Sequence, residues 1–164
     1  MTNKQLISVL VENQAGVLSK ITALFARRAF NIDSLAVGVT EDESVSRITM
    51  IVDSGSHAAE QVEKQLHKLI NVIKVKRFEY GDYIGRELIM IKVQANSKNR
   101  SDIKTMCDIM NAKISDVSQS TITVELTDTS DRIELFQEML LPFGIVEVAR
   151  TGLIAMQKGP VHMG

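Results

Sequence analysis

The chain has 164 residues, 45% of them hydrophobic and 24% charged, which is typical of one ordinary globular domain or two small ones. Its 19 Lys and Arg residues against 20 Asp and Glu give a formal net charge of -1, which argues against a surface built to neutralise phosphates. No apolar run approaches the roughly 20 residues that a membrane-spanning helix needs, and the lone cysteine excludes an intramolecular disulfide.

The N-terminal residues and the single cysteine both indicate the cellular compartment of the protein. Met1 to Lys4 lead straight into a strand-like run without an apolar signal core, so we expect the protein not to be secreted. Cys107 stands alone, as is usual in a reducing compartment. We therefore expect a cytoplasmic protein.

The first half of the chain shows two kinds of hydrophobic periodicity. Apolar or alternating runs predict strands, and apolar residues at helical offsets predict two amphipathic helices. The predicted elements are strand 6–11, helix 17–25, strands 32–39 and 45–52, helix 57–69 and strand 72–78. The stripe on the second helix is Val62, Leu66, Leu69 and Ile70. This order, β-α-β-β-α-β, is the ferredoxin-like arrangement.

The same order begins again after residue 85. The predicted elements are strand 86–93, helix 103–110, a hairpin of 113–118 and 121–126, helix 131–141 and a last strand from 145 that extends towards Met156. Pro142 and Gly144 end the second of these helices. We therefore predict an α+β fold of two ferredoxin-like βαββαβ units, residues 1–80 and 81–164.

The turn between the first strand and the first helix has the features of a small-anion site. Gly16 permits a positive φ or a close approach to a ligand. The helix behind it directs unpaired N–H groups and its positive dipole end at the turn, where the carboxylate of a free amino acid is stabilised. Asn13 and Asn31 end one strand and begin the next, so their amides meet around a zwitterion if these strands pair. The alternative is ordinary turn and capping chemistry, for which Gly and Asn are also common.

Catalysis and nucleic-acid binding have little support. The chain has no Cys-x-x-Cys, His-x-x-x-His or Gly-x-x-x-x-Gly-Lys pattern, so we expect neither a metal site nor a phosphate loop. His57 and His67 fall on nearly perpendicular helix faces, and Cys107 lies on an apolar stripe. The strands at 6–11 and 45–52 have no aromatic residue on which RNA bases could stack. We predict no catalytic residue, which leaves a small-molecule sensor, an assembly subunit, or both.

Several segments resemble one protein family. Residues 11–20 (Val-Glu-Asn-Gln-Ala-Gly-Val-Leu-Ser-Lys), 24–28, 30–35 and 46–49 closely resemble the N-terminal ACT domain of the regulatory small subunit of acetolactate synthase, also called acetohydroxyacid synthase. The similarity continues through residues 63–69, 86–88 and 144–152. It covers nearly the whole chain, and it implies that the first unit, residues 1–80, is an ACT domain for effector binding and dimerisation.

The resemblance implies a bacterial cytoplasmic regulatory subunit that is not an enzyme. Such a subunit binds and activates the catalytic large subunit and confers feedback inhibition by valine, or by leucine or isoleucine, in branched-chain amino acid biosynthesis. The thiamine diphosphate, Mg²⁺ and FAD of that system belong to the large subunit, so none is expected on this chain. ACT domains of the family pair side by side, which implies a homodimer.

The resemblance also implies the effector contacts. Valine would bind at the dimer interface against Asn13, Gly16, Val17, Leu18, Asn31 and Ile32. The helix N-terminus would hold its carboxylate, the two Asn amides would orient the zwitterion, and Val17 and Ile32 would line the isopropyl pocket. Ala29 stands where the family usually has Gly, which could shift the angle into Asn31. Two alternatives remain open here, a free-standing ACT-type sensor of another partner and a purely structural assembly subunit without an effector.

Overall fold

A computed structural model describes residues 4–55, 57 and 59–164, with the backbone alone at Ala59. The elements are β1 (Lys4–Glu12), α1 (Val17–Arg27), β2 (Asn31–Val39), β3 (Val45–Asp53), α2 (Ala59–Leu66), β4 (Val72–Phe78), β5 (Tyr83–Gln94), α3 (Arg100–Met110), β6 (Lys113–Val117), β7 (Thr121–Asp128), α4 (Ser130–Leu140), a 3₁₀ turn (Leu141–Phe143), β8 (Ile145–Arg150) and β9 (Ile154–Gln157). The order βαββαβ occurs twice, so the predicted α+β fold of two ferredoxin-like units is confirmed. In this part of the chain no helix is long and apolar enough to cross a membrane.

The chain folds as two compact units that differ from the predicted domains. The first comprises the residues up to Ile84 together with Leu153–Gly164, and the second is Gly85–Gly152. The prediction placed the boundary between residues 80 and 81 and assigned the C-terminal residues to the second domain. In the structure the C-terminal residues belong to the first unit, because Leu153 and Ala155 bury apolar surface against Leu6 and Phe78.

The predicted last strand is also two strands. We expected it to extend from residue 145 towards Met156, but β8 ends at Arg150 and β9 begins at Ile154. Gly152 between them has a φ of 83°, a left-handed conformation that interrupts a strand.

The first unit is built on a four-stranded antiparallel sheet of order β2-β3-β1-β4. Ile7, Val9 and Val11 of β1 point to the face that the helices cover and are at most 2% exposed. Burying an apolar side chain completely contributes roughly 1.5–3 kcal/mol, so each of these residues adds substantially to the stability of the unit. The helix residues buried against it are Val17, Ile21, Leu24 and Phe25 of α1 and Val62 and Leu66 of α2.

The second helix is shorter than predicted. We expected a helix over 57–69, but α2 spans Ala59–Leu66, and residue 58 lies outside the described residues. Ile70, which the predicted stripe included, is 91% exposed because the helix has ended before it.

The second unit has a sheet of order β6-β7-β5-β8 under α3 and α4. Cys107 lies in its core, as predicted, and burial raises the pKa of the thiol. At the end of this sheet Arg150 donates two hydrogen bonds, of 2.6 and 3.0 Å, to the buried carboxylate of Glu87. That pair joins β5 to the end of β8.

Candidate effector site

The turn after β1 has the backbone that its glycine predicts. Gly16 has φ 85° and ψ -5° and forms the N-cap of α1. A Cβ built on Gly16 would meet no atom within 4 Å. The left-handed conformation, and not crowding, is therefore what favours glycine at this position.

The first turn of α1 leaves its backbone donors open. No side chain caps the helix, and its first turn contains no acidic residue. The N–H of Lys20 donates to the Gly16 carbonyl at 3.0 Å, whereas within the described residues the N–H groups of Leu18 and Ser19 have no backbone acceptor. Free donors and the positive end of the helix dipole coincide here, an arrangement that stabilises a carboxylate.

Asn13 ties this turn to the neighbouring hairpin. Its backbone N–H donates to the Ser44 carbonyl at 2.7 Å, and its Nδ2 donates to the Glu43 carbonyl at 2.8 Å. The side-chain oxygen of Asn13 accepts no hydrogen bond from the described residues, which leaves an acceptor beside the open helix N-terminus. An ammonium group is the complementary donor.

Asn31 lies at the opposite end of the sheet. In the strand register Asn31 pairs with Asp53 at the end of β3, whereas Asn13 binds Ser44 just before β3 begins. Ser44 and Asp53 are nine residues apart along the chain, which separates these positions by about 30 Å at the usual rise of 3.3 Å per residue. The idea that the amides of one chain meet because their strands pair is therefore wrong, since β3 lies between β1 and β2.

The environment of Asn31 is polar. Its Nδ2 donates to Asp33 Oδ1, and Lys4 Nζ lies 2.7 Å from the other carboxylate oxygen of Asp33. The hydrogen bond from Lys4, followed by its charge, holds the pKa of the Asp33 carboxyl below its usual range despite some desolvation. The Asn31 amide group is thus held in place at the start of β2.

Val17 and Ile32, the two residues predicted to line the isopropyl pocket, differ in solvent exposure. Val17 is only 4% exposed and packs in the core of the first unit, so its side chain points away from any ligand at the turn. Leu18 is 37% exposed and Ile32 is partly buried against the core. One chain thus brings Asn13, Gly16 and Leu18 together and holds Asn31 and Ile32 apart from them.

A hydrogen-bonded group of three polar residues beside the turn, Glu12, Lys20 and Asn71, is not predicted by the sequence. Asn71 is 7% exposed, accepts a 2.9 Å hydrogen bond from Lys20 Nζ and donates a 2.6 Å bond to Glu12 Oε2. The sequence pattern assigns Asn71 no role in the site, since it lies between the predicted helix 57–69 and strand 72–78. A polar residue between the apolar Ile70 and Val72 is a weak indication of a structural role. Its hydrogen-bond partners are brought close by strand pairing, which the sequence does not show.

Comparison with known proteins identifies the family. A family model described as the AHAS small subunit-like ACT domain matches residues 7–74, and one described as the small subunit of acetolactate synthase matches residues 86–159. Acetolactate synthase small subunits of Mycolicibacterium smegmatis and Mycobacterium leprae are 43% and 45% identical to the chain, covering 96% of it and 93% and 94% of their own lengths. The chain belongs to the acetolactate synthase small-subunit family.

A solved structure of the same family agrees with this fold. The acetolactate synthase small subunit of Thermotoga maritima superposes with a TM-score of 0.88 at 36% identity, covering 97% of this chain and 99% of that one. The predicted family is confirmed. Small subunits are the regulatory and not the catalytic subunits of acetolactate synthase, so the prediction of a non-catalytic chain is confirmed as well. The first unit contains the ACT match, which makes the turn before α1 the candidate effector site.

Proposed function

We propose that this small subunit is a cytoplasmic regulator that binds the catalytic large subunit, activates it, and confers feedback inhibition by valine or by leucine or isoleucine. The open N-terminus of α1 behind left-handed Gly16 is the observation that carries the effector proposal. We assign thiamine diphosphate, Mg²⁺ and FAD to the large subunit and propose no cofactor site on this chain. Among the described residues no cluster of three or more His, Cys, Asp or Glu side chains could hold a metal.

A side-by-side homodimer would bring the two separated parts of the site together. Strand β2 is an edge strand that pairs with β3 alone in the described structure, and its Val37 and Val39 are 49% and 63% exposed. Such an edge can pair with a second chain. If two copies pair antiparallel about Leu35, residue 31 of one copy lies opposite residue 39 of the other.

In this pairing, the strand register places Asn31 of one copy at the sheet end that holds the other copy's turn before α1. Val39 pairs with Ser46, and Ser46 pairs with Val11, two residues before Asn13. Asn31 of one copy therefore lies at the sheet end where the other copy has its helix N-terminus. Three strand spacings of about 4.8 Å, across β2 and β3 to β1, separate them by about 14 Å, which the Asn31 side chain, the ligand and the turn after Glu12 together span.

This dimer assigns a role to each part of the ligand. The carboxylate binds the N–H groups of Leu18 and Ser19, and the ammonium group binds the Asn13 side-chain oxygen. The branched side chain lies against Leu18 of one copy and Ile32 of the other. Val17 supports this arrangement from the core, not as part of the pocket wall.

Inhibition requires that valine bind one state more tightly than another. We propose that valine joins two ACT domains and favours a dimer geometry that no longer activates the large subunit. A coupling free energy of about 1–3 kcal/mol, usual between allosteric sites, is sufficient.

Calorimetric titration of L-valine into the purified chain, with leucine and isoleucine alongside, tests the sensor. We expect saturation near one ligand per chain. Absence of binding by all three, both alone and with the large subunit, would contradict the effector role. Co-purification with the large subunit tests the partner, and failure to associate would favour a free-standing ACT sensor instead.

A pair of edge variants tests the dimer. Val37→Lys places a charge on the edge of β2, and Ile73→Lys, at a position 53% exposed, is the matched control on the edge strand β4. We expect sedimentation to show monomers only for Val37→Lys, which should also lose valine binding. Equal behaviour of the two variants would contradict pairing through β2.

A further inference from the structure

We propose that Asn71 is a positioning residue for the effector, and that it fixes the turn before α1 by holding Glu12 and Lys20. This inference rests on the proposed function, because it concerns the affinity of the same effector site. Asn71 itself lies behind the turn, in the connection between α2 and β4. It touches neither Asn13 nor Gly16 through any hydrogen bond of the described residues, so it acts through its two partners.

Both ends of the effector segment are bound to this one side chain. Glu12 directly precedes Asn13, and its Oε2 accepts a 2.6 Å hydrogen bond from Asn71 Nδ2. Lys20 lies one helical turn after Gly16, and its Nζ donates to Asn71 Oδ1 at 2.9 Å. The residues between Glu12 and Lys20 include four of the predicted effector contacts.

The turn needs support from outside because it has little of its own. No side chain caps α1, the N–H of Val17 reaches the Gln14 carbonyl only at 3.4 Å, and Gly16 adds a flexible backbone. A capping side chain would have stabilised the turn but would have used the donors that a ligand carboxylate requires. Asn71 holds the segment without occupying those donors.

The chemistry of the network is specific to an amide at position 71. An amide accepts from the Lys20 ammonium with its oxygen and donates to the Glu12 carboxylate with its nitrogen. A carboxylate at this position would still accept from Lys20 but would face Glu12 as a second, unprotonated acceptor. Because Asn71 is 7% exposed, water does little to screen that repulsion.

One backbone hydrogen bond allows a positioning role of the Asn71 side chain to be distinguished from a role in folding. The N–H of Glu12 donates to the carbonyl of Asn71 at 3.0 Å, and no side-chain substitution removes that bond. The pairing of β1 with β4 is likewise a backbone ladder. Side-chain variants at position 71 should therefore keep the fold while the turn loses its orientation.

The test is a double-variant cycle on the full chain, with affinity for L-valine measured by calorimetry. Asn71→Asp should weaken valine binding about tenfold, within the range usual for coupled sites. Glu12→Gln should bind nearly as the unmodified chain does, since a glutamine oxygen still accepts from Asn71. The double variant Glu12→Gln with Asn71→Asp reverses the hydrogen bond, with the introduced glutamine amide as donor and the introduced carboxylate as acceptor, and should recover most of the affinity.

Val62→Ala is the control for lost stability. Val62 is a core residue of α2 that is 0% exposed, and its apolar side chain takes no part in the hydrogen bonds of Asn71, so this variant should lower the melting temperature and leave valine affinity unchanged. Unchanged valine affinity of Asn71→Asp, or a double variant as weak as Asn71→Asp alone, would overturn the inference and leave the proposed function intact. Absence of valine, leucine and isoleucine binding by the unmodified chain, alone and with the large subunit, would overturn both.

Discussion

Replacing Gly16 with Asp or Asn separates two physical effects at the proposed effector site, backbone strain and charge. Both side chains add a Cβ to a residue with φ 85°, and the two are nearly isosteric. Only Asp adds a negative charge where the ligand carboxylate is proposed to bind. The difference between the variants therefore reports charge alone, while their shared loss reports backbone strain.

The strain is small at this position. A left-handed conformation costs an L-residue roughly 1–2 kcal/mol, and Asn and Asp are the residues that tolerate it best. Nothing lies within 4 Å of the added Cβ, so no steric clash increases the cost. We expect both variants to fold, with a loss of stability of about 1 kcal/mol each.

The charge effect is larger for binding. Two carboxylates 4 Å apart repel by about 4 kcal/mol at an effective dielectric constant of 20. Gly16 is exposed, so solvent screening reduces this to about 1–3 kcal/mol, which corresponds to roughly 5- to 150-fold weaker valine binding for Asp than for Asn.

Two assays decide the outcome. Calorimetry with L-valine gives the affinities, and the activity of the large subunit with each variant gives activation and its inhibition by valine. Gly16→Asp should still activate but resist valine, and Gly16→Asn should remain sensitive. If the two variants weaken binding equally, the carboxylate does not bind at the helix N-terminus, and if neither does, the site lies elsewhere.

Three further predictions concern stability. Deleting residues 153–164 uncovers Leu6 and Phe78, and chemical denaturation should show a loss of about 3 kcal/mol or more in the free energy of unfolding. Arg150→Met leaves the 6% exposed Glu87 carboxylate without a cation and should cost about 3 kcal/mol, which the double variant with Glu87→Gln should largely restore. Burial, the largest single effect, raises the pKa of Asp128, but the hydrogen bonds from Arg132 and the Thr129 N–H, together with the charges of Arg132 and Arg86, outweigh it and hold that pKa below 3.8. The stabilisation is therefore present above pH 3.8 and lost as pH falls through the lower folded value, so denaturation curves of Asp128→Asn and the unmodified chain should converge in acid.

Local pattern was sufficient for most of the fold. Alternation and apolar runs located every strand of both βαββαβ units, and the glycine before Val17 gave the turn its left-handed backbone. These features depend on neighbours in sequence, as strand alternation and helix termination do. The apolar stripe predicted for the second helix is wrong at Ile70, which lies beyond the end of that helix and is exposed.

The remaining features depend on which strands lie side by side. Insertion of β3 between β1 and β2 separates Asn13 from Asn31, and no local pattern specifies that order. The return of Leu153 and Ala155 to the first sheet likewise depends on apolar surface left uncovered around Leu6. Both are properties of tertiary packing, so the sequence predicts candidate residues for the site but not how one chain arranges them.

The same packing limits how two ACT domains can meet. One face of the first sheet is covered by α1 and α2, and the other has Leu153 and Ala155 packed on it, so the sheet edges remain. The β4 edge carries Lys74, Lys76 and Arg77, and two such edges would bring like charges together, a common protection against pairing. The β2 edge has exposed valines, and Asp33, its one charged residue, is neutralised by Lys4. Charge and coverage thus favour β2 as the pairing strand of the proposed dimer, which places Asn31 at the sheet end where a second copy has its turn.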